Sequence, residues 1–133
     1  MFLKAFKFAY LYHNGQFRKQ SRVPYIVHPA RVASYFNDDE MKTIAMLHDI
    51  IEDTDCSIQL LQQLFPLRIT EVVDILSKRE EETHFEYIKR VKKNEKATAI
   101  KIADIIDNLS DTITVCSESM CKRYDESLKI LLS

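Results

Sequence analysis

One glycine, Gly15, and three prolines are the only strong breakers of helix in 133 residues, and apolar side chains recur every three or four positions almost throughout. No alternating β-branched run offers itself as a strand. The chain therefore reads as all-α, a compact helical bundle forming one domain over residues 1–133, long enough to bury a sizeable core and too short for two.

Caps and breakers divide it. Residues 2–14 form a first helix ended by Gly15, which takes the left-handed cap conformation without steric cost. Pro29 suits the first turn of a second helix through about Phe36, which puts His28 at its entrance. Asn37-Asp38-Asp39 opens a central helix, with acids where the helix dipole favours them. Asp55-Cys56-Ser57 caps a short helix to Phe65, and Pro66 starts another that ends near Lys78. Thr83 and Glu86 match a capping box for a helix through about Lys93, with His84 inside it reading as exposed. Asn94 caps a long segment from Glu95 to about Leu109, and a last helix runs from about Met120 to Leu132.

The central helix carries the first chemical signal. Thr43-Ile44-Ala45-Met46-Leu47-His48-Asp49-Ile50-Ile51-Glu52-Asp53-Thr54 is apolar on nearly every side, as a buried helix is, yet holds an imidazole and three carboxylates. Buried charge is normally paired or bound to metal, because an unpaired ionised group out of water costs several kcal/mol. On a continuous helix His48 stands beside Glu52, and Asp49 beside Glu52 and Asp53. Such a turn suits a divalent cation held by His48 and Asp49, with Glu52 and Asp53 reaching water and leaving group. A solvated C-terminal turn is the commoner meaning of a lone His-Asp pair, so the rest of the chain decides.

The long segment after Asn94 is the second. Ile102, Ile106, Leu109 and Ile113 form one stripe, and Ile100, Lys101, Asp104, Asn108 and Asp111 lie opposite. Core on one side and water on the other is the ordinary meaning. Ala97, Ile100, Ala103 and Ile105 on or beside the polar side suggest enclosure on both, with Asp104 and Asn108 at a second buried polar spot.

Charge and cysteine content exclude several classes. With 19 basic and 20 acidic residues the net charge is −1, so there is no global field for nucleic acid or anionic lipid, and an anionic partner must be met locally. Lys89, Arg90, Lys92, Lys93 and Lys96 lack interleaved aromatics and read as solvated helix ends rather than a nucleic-acid patch. Cys56, Cys116 and Cys121 lack CxxC spacing and read as reduced thiols, consistent with a cytoplasmic protein. Lys4 and Lys7 interrupt the apolar N-terminus, so no membrane span is expected there.

With His28, His48-Asp49 and Asp104 in this order on an all-α chain, the sequence resembles the HD phosphohydrolase superfamily. Four segments narrow the likeness: His13-Asn14-Gly15-Gln16-Phe17-Arg18-Lys19, Pro24-Tyr25-Ile26-Val27-His28-Pro29, Leu47 to Thr54, and Lys101-Ile102-Ala103-Asp104 with Asn108. Together they resemble the hydrolase domain of RelA/SpoT-type alarmone enzymes, the small alarmone hydrolases above all. The resemblance implies an HD-type fold and one Mn²⁺ held by His28, His48, Asp49 and Asp104, a donor set that also suits Fe²⁺ or Zn²⁺. It implies hydrolytic removal of the 3′-pyrophosphate from guanosine 3′-diphosphate 5′-di- or triphosphate. Glu52 and Asp53 would activate water and handle protons; Arg18, Lys19 and Asn108 would contact the nucleotide, and Tyr124 on the last helix would line the same pocket.

The chain departs from the family at Ile105 and Ser110, where basic residues are usual, and at Gln20-Ser21-Arg22-Val23, which lacks a usual glycine. Lys78, followed by Arg79, resembles a basic site that compensates. These departures keep two other readings open: an HD phosphohydrolase of a nucleoside monophosphate or NADPH, and a nucleotide-binding HD module that no longer catalyses. Phe17 and Tyr25 are the aromatics placed to touch such a ligand. In every reading the partner is a small nucleotide, not nucleic acid or a membrane.

Overall fold

The computed structural model describes residues 1–19, 21–111 and 117–133, and these residues form helices with no strand among them. The elements are α1 (Phe2–Tyr12), α2 (Val27–Ser34), α3 (Asp39–Leu47), α4 (Ile50–Asp53), α5 (Ile58–Leu64), α6 (Leu67–Ile75), α7 (His84–Lys92), α8 (Glu95–Asp111) and α9 (Glu118–Leu132). No helix is long and apolar enough to cross a membrane among the described residues.

Side-chain caps set most starts. Asp38 accepts from the Met41 amide at 3.2 Å, Ser57 from Leu60 at 3.1 Å and Ser117 from Met120 at 3.2 Å. Thr83 and Glu86 form the expected reciprocal box, and Asn94 accepts from the Ala97 amide at 2.9 Å. Pro29 sits in the first turn of α2, where no amide is needed.

α3 is the buried axis: Thr43 through Leu47 are fully enclosed, packed by α1, α2, α6 and α8. Ala5 and Ala9 let α1 approach α3 closely. α8 packs on α2, α3, α6, α7 and α9, so it lies beside the histidine-bearing ends of α2 and α3.

Two expectations about the helices change. The central helix is not continuous: α3 stops at Leu47, Asp49 takes φ −103° and ψ −1°, and α4 restarts at Ile50. His48 donates from Nδ1 to the Ala45 carbonyl at 2.6 Å, and an acceptor used by a side chain favours ending the α ladder there. On α8 the stripe is rotated. Ala97, Ile100, Ala103, Asp104, Ile105 and Asp107 are buried, whereas Ile106 is 42% exposed, Ile102 and Leu109 are half-buried and Ile113 lies outside the described residues. The polar face is inside because its charges find partners there.

His84 is half-buried and hydrogen-bonded to Ser127 Oγ at 3.0 Å rather than exposed. Cys56 is a buried free thiol, Cys121 is disulfide-bonded against the expectation of reduced thiols, and Cys116 lies outside the described residues.

Gly15 takes the expected left-handed φ of +84°, but α1 ends earlier, at Tyr12 with His13 as its cap, so the glycine turns the loop beyond the helix. In the loop without its usual glycine, Arg22 takes φ +64°, a left-handed conformation that costs a side-chain-bearing residue about 1–2 kcal/mol. Two hydrogen bonds hold the strained turn, Arg18 N to Val23 O at 2.8 Å and Arg22 N to Arg18 O at 3.1 Å; Gln20, within it, lies outside the described residues. Arg22→Gly should therefore stabilise the protein by about 0.5–1 kcal/mol after the entropy of glycine is subtracted. Thermal melting should show the midpoint rising by roughly 2–4 °C; a lower midpoint would show that the Arg22 side chain stabilises the turn.

Candidate metal centre and nucleotide pocket

Four side chains from four places in the sequence converge. One ligand atom each from His28, His48, Asp49 and Asp104 lies within 4.8 Å of all the others. His28 comes from the first turn of α2, His48 and Asp49 from the break between α3 and α4, and Asp104 from the middle of α8. His28 Nε2 lies 2.8 Å from Asp104 Oδ1 and 3.4 Å from Asp49 Oδ2. His48 Nε2 lies 3.1 Å from Asp49 Oδ2 and 3.4 Å from Asp104 Oδ1, yet is aligned for a hydrogen bond to neither.

That orphaned atom is informative. A carbonyl oxygen can only accept, so the bond to Ala45 fixes the proton on His48 Nδ1 and leaves Nε2, when neutral, with a lone pair facing two carboxylates. His28 is held likewise, its Nδ1 bonded to Asp107 Oδ2 at 2.7 Å. Buried lone pairs facing carboxylates need a proton or a cation between them. Orienting each imidazole through its far nitrogen is how protein metal sites fix a ligand, and two nitrogens with two carboxylates suit Mn²⁺, Fe²⁺ or Zn²⁺.

The electrostatics of the metal-free cluster agree. Burial alone would lower the His28 pKa, but bonds to Asp104, Asp107 and Asp49 push it up to about 11. Burial likewise opposes the charged form of His48, and Asp49 and Asp104 raise it to about 10. Burial would raise Asp104, but Lys101, His28 and His48 hold it well below the usual carboxylate range. Lys101 is fixed by its bond to Asp104 Oδ2 at 2.8 Å.

Glu52 and Asp53 stand on the next turn, at the edge of the cluster. Glu52 Oε1 accepts from the backbone amide of Lys78, and Asp53 Oδ2 lies 3.2 Å from the Tyr25 hydroxyl. Burial and the charge of Asp49 raise both pKa values above the ordinary range. Asp53 opens on a cavity of about 640 Å³ whose wall includes Lys19, Asn108 and Tyr124, a size suited to a small organic ligand.

Of the residues expected to meet a nucleotide, Lys19, Asn108 and Tyr124 line this cavity with Phe17 and Tyr25. Arg18 lines it too, but is only 5% exposed. Its guanidinium bonds Asp107 at 2.8 Å and Asn108 at 3.1 Å and lies 3.4 Å from Asp111. Lys78 is exposed and not among the lining residues; its amide, not its ammonium, meets the site. Arg79 is tied to Asp74.

Sequence reasoning missed Asp107 and left Tyr25 without a structural role. Asp107 is buried between His28 and Arg18, and the signal was its place one turn beyond Asp104. Tyr25 donates to Asp49 Oδ2 at 2.6 Å, and its ring centre lies 5.0 Å from that of His13 and 5.7 Å from that of His28. His13 is itself buried and bonded through Nδ1 to Gln16 Oε1 at 2.9 Å, while Gln16 Nε2 donates to the Asp53 carbonyl at 2.7 Å.

An all-α fold with an inward-facing His, His-Asp, Asp quartet defines a class of protein built around a buried divalent-metal centre. The chain belongs to the HD-domain family, whose model, described as HD domain, matches residues 5–116. The guanosine-3′,5′-bis(diphosphate) 3′-pyrophosphohydrolase MESH1 of Drosophila melanogaster is 30% identical over 122 residues, which are 83% of this chain and 68% of that protein. The guanosine-3′,5′-bis(diphosphate) 3′-pyrophosphohydrolase of Haemophilus influenzae is 43% identical over 70 residues, 50% of this chain. The chain spans about 10% of the length of that protein and of its Synechocystis counterpart. Among solved structures, a metazoan orthologue of SpoT that hydrolyses ppGpp superposes with a TM-score of 0.82 at 26% identity, covering 98% of this chain and 83% of that one.

Two outcomes follow from this geometry. Tyr25→Phe, which removes the hydroxyl shared by Asp49 and Asp53, should weaken binding of a divalent cation, with Mn²⁺ as the probe, by about 10-fold or more, as loss of an outer hydrogen bond does elsewhere. Titration against a chromogenic chelator checks it, and an affinity within twofold of wild type would remove the hydroxyl from the ligand-orienting set. Second, the raised histidines stabilise the metal-free fold fully below pH about 6.5, their unfolded value. That contribution is lost as pH rises toward their folded values of about 10 and 11. Urea midpoints measured in chelator should fall across this range, and saturating Mn²⁺ should flatten the fall.

Proposed function

We propose that this protein is a metal-dependent pyrophosphohydrolase that removes the 3′-pyrophosphate from guanosine 3′-diphosphate 5′-di- or triphosphate, or from a closely related nucleotide. The observation that carries this reading is the quartet of ligand atoms within 4.8 Å of one another, next to the Glu52–Asp53 turn and a cavity of about 640 Å³. The names of the Drosophila and Haemophilus relatives supply the substrate. HD hydrolases depend on a divalent metal, and here His28, His48, Asp49 and Asp104 would hold it, as Mn²⁺ in this reading.

Held by these four residues, such an ion would supply Lewis acidity, polarising a phosphoryl oxygen and acidifying water. Glu52, its pKa raised by burial and its carboxylate fixed by the Lys78 amide, takes the proton of the attacking water. The water oxygen bonds to the phosphorus nearest the ribose, the bond from that phosphorus to the 3′ oxygen breaks, and Asp53 hands a proton to the leaving oxygen. Lys19, Asn108 and Tyr124 receive the nucleotide along the cavity wall, and Arg18, bonded to Asp107 and Asn108, holds the asparagine in place there.

The decisive measurement is turnover of guanosine 3′,5′-bis(diphosphate) in Mn²⁺ with pyrophosphate readout, beside nucleoside monophosphates and NADPH. Pyrophosphate from the alarmone supports the reading; none from it, with orthophosphate from another nucleotide, moves the substrate to that compound. Glu52→Gln should keep one Mn²⁺ per chain and lower kcat by about 10²-fold or more. Turnover at the wild-type rate would falsify the role assigned to Glu52.

A further inference from the structure

A polyanionic nucleotide needs cations that are not already spent inside the protein. Of the basic side chains near the site, Lys101 is held by Asp104 at 2.8 Å, Arg79 by Asp74 at 3.1 Å, and Arg18 by Asp107, Asn108 and Asp111. Ile105 is buried and carries no charge, and the Ser110 hydroxyl is turned back onto the Ile106 carbonyl at 3.1 Å. Among the cavity-lining residues, Lys19 and Arg123 remain, and neither has a carboxylate partner among the described residues.

These two cations arrive from opposite ends of the chain. Lys19 lies in the loop after α1, and Arg123 on the second turn of α9. Each has an aromatic neighbour lining the same cavity: Phe17, 61% exposed, near Lys19, and Tyr124 beside Arg123. An exposed aromatic face next to an unspent cation is what a base and its phosphates require.

We propose that Arg123, with Lys19, grips the 5′-phosphate end of the nucleotide, the end remote from the bond being cleaved. The inference rests on the nucleotide-hydrolase reading above and adds to it the residue that holds the 5′ phosphates. Arg123 supplies from α9 a positive charge that α8, with Ile105 and Ser110, does not. Its guanidinium can take two phosphate oxygens at once.

Binding of GDP to the metal-free protein tests this separately from hydrolysis, because GDP carries phosphate only at the 5′ end. The wild type should bind GDP about 10-fold or more tighter than guanosine, by calorimetry or fluorescence. Arg123→Ala should remove most of that preference while leaving guanosine affinity within about twofold, and Arg123→Lys should retain part of it. With the alarmone in Mn²⁺, Arg123→Ala should lose more in KM than in kcat. Because Arg123 is exposed, a melting curve within a few degrees of wild type confirms that the variant is folded. Equal affinities of the wild type for GDP and guanosine, or an unchanged GDP affinity in Arg123→Ala, overturn the inference even if the alarmone is hydrolysed. Absence of pyrophosphate release alone overturns the hydrolase reading and leaves the GDP result to stand or fall separately.

Discussion

Everything at the site depends on two imidazoles whose Nδ1 atoms are already engaged. Ala45 holds His48 and Asp107 holds His28, so both Nε2 atoms point into a space shared with Asp49 and Asp104. A side chain free to rotate would turn its lone pair away from a carboxylate. These cannot, because each is almost completely buried and anchored behind. The resulting concentration of negative charge is tolerable only with protons or a cation in the middle, and the fold supplies the anchoring whichever is present.

The break in the central helix serves the same constraint. A continuous helix would set His48 and Asp49 about 100° apart around its axis, spreading them away from a common point. Ending α3 at Leu47 and restarting at Ile50 lets both reach the same centre, and it turns Glu52 toward the Lys78 amide and Asp53 toward Tyr25. A local loss of helix regularity at a functional position is what opposed local and tertiary demands produce.

Much of this was readable in the residues. Caps at Asn94, Thr83 and Ser57 marked helix starts because their chemistry is local, and the burial of His48 and the partial burial of Asp49 followed from the apolar run around them. The orientation of α8 was harder. A wheel sorts residues by polarity, and Asp104 and Asp107 are polar residues made inward by His28 and Arg18, contacts set by tertiary packing, while Lys101 pairs with Asp104 from one turn back on the same helix. For the same reason Arg18 looked like a free cation: its partners Asp107 and Asp111 lie some ninety residues away.

That separation has a bearing on how the molecule behaves as a whole. Arg18 and Asp107 are 89 positions apart, and His28 and Asp104 are 76. No early local hairpin of helices can contain the constellation; most of the polypeptide must be threaded into place before the last aspartate meets the first histidine, and the entropy of closing so long a span is lost at that moment. An ion that binds only the finished arrangement then acts as a rivet across distant sequence, lowering the free energy of the native state by an amount that grows with the logarithm of its concentration over its dissociation constant. The loaded protein should resist the local openings that admit a protease far more than its empty counterpart does, even at helices that never touch the ion.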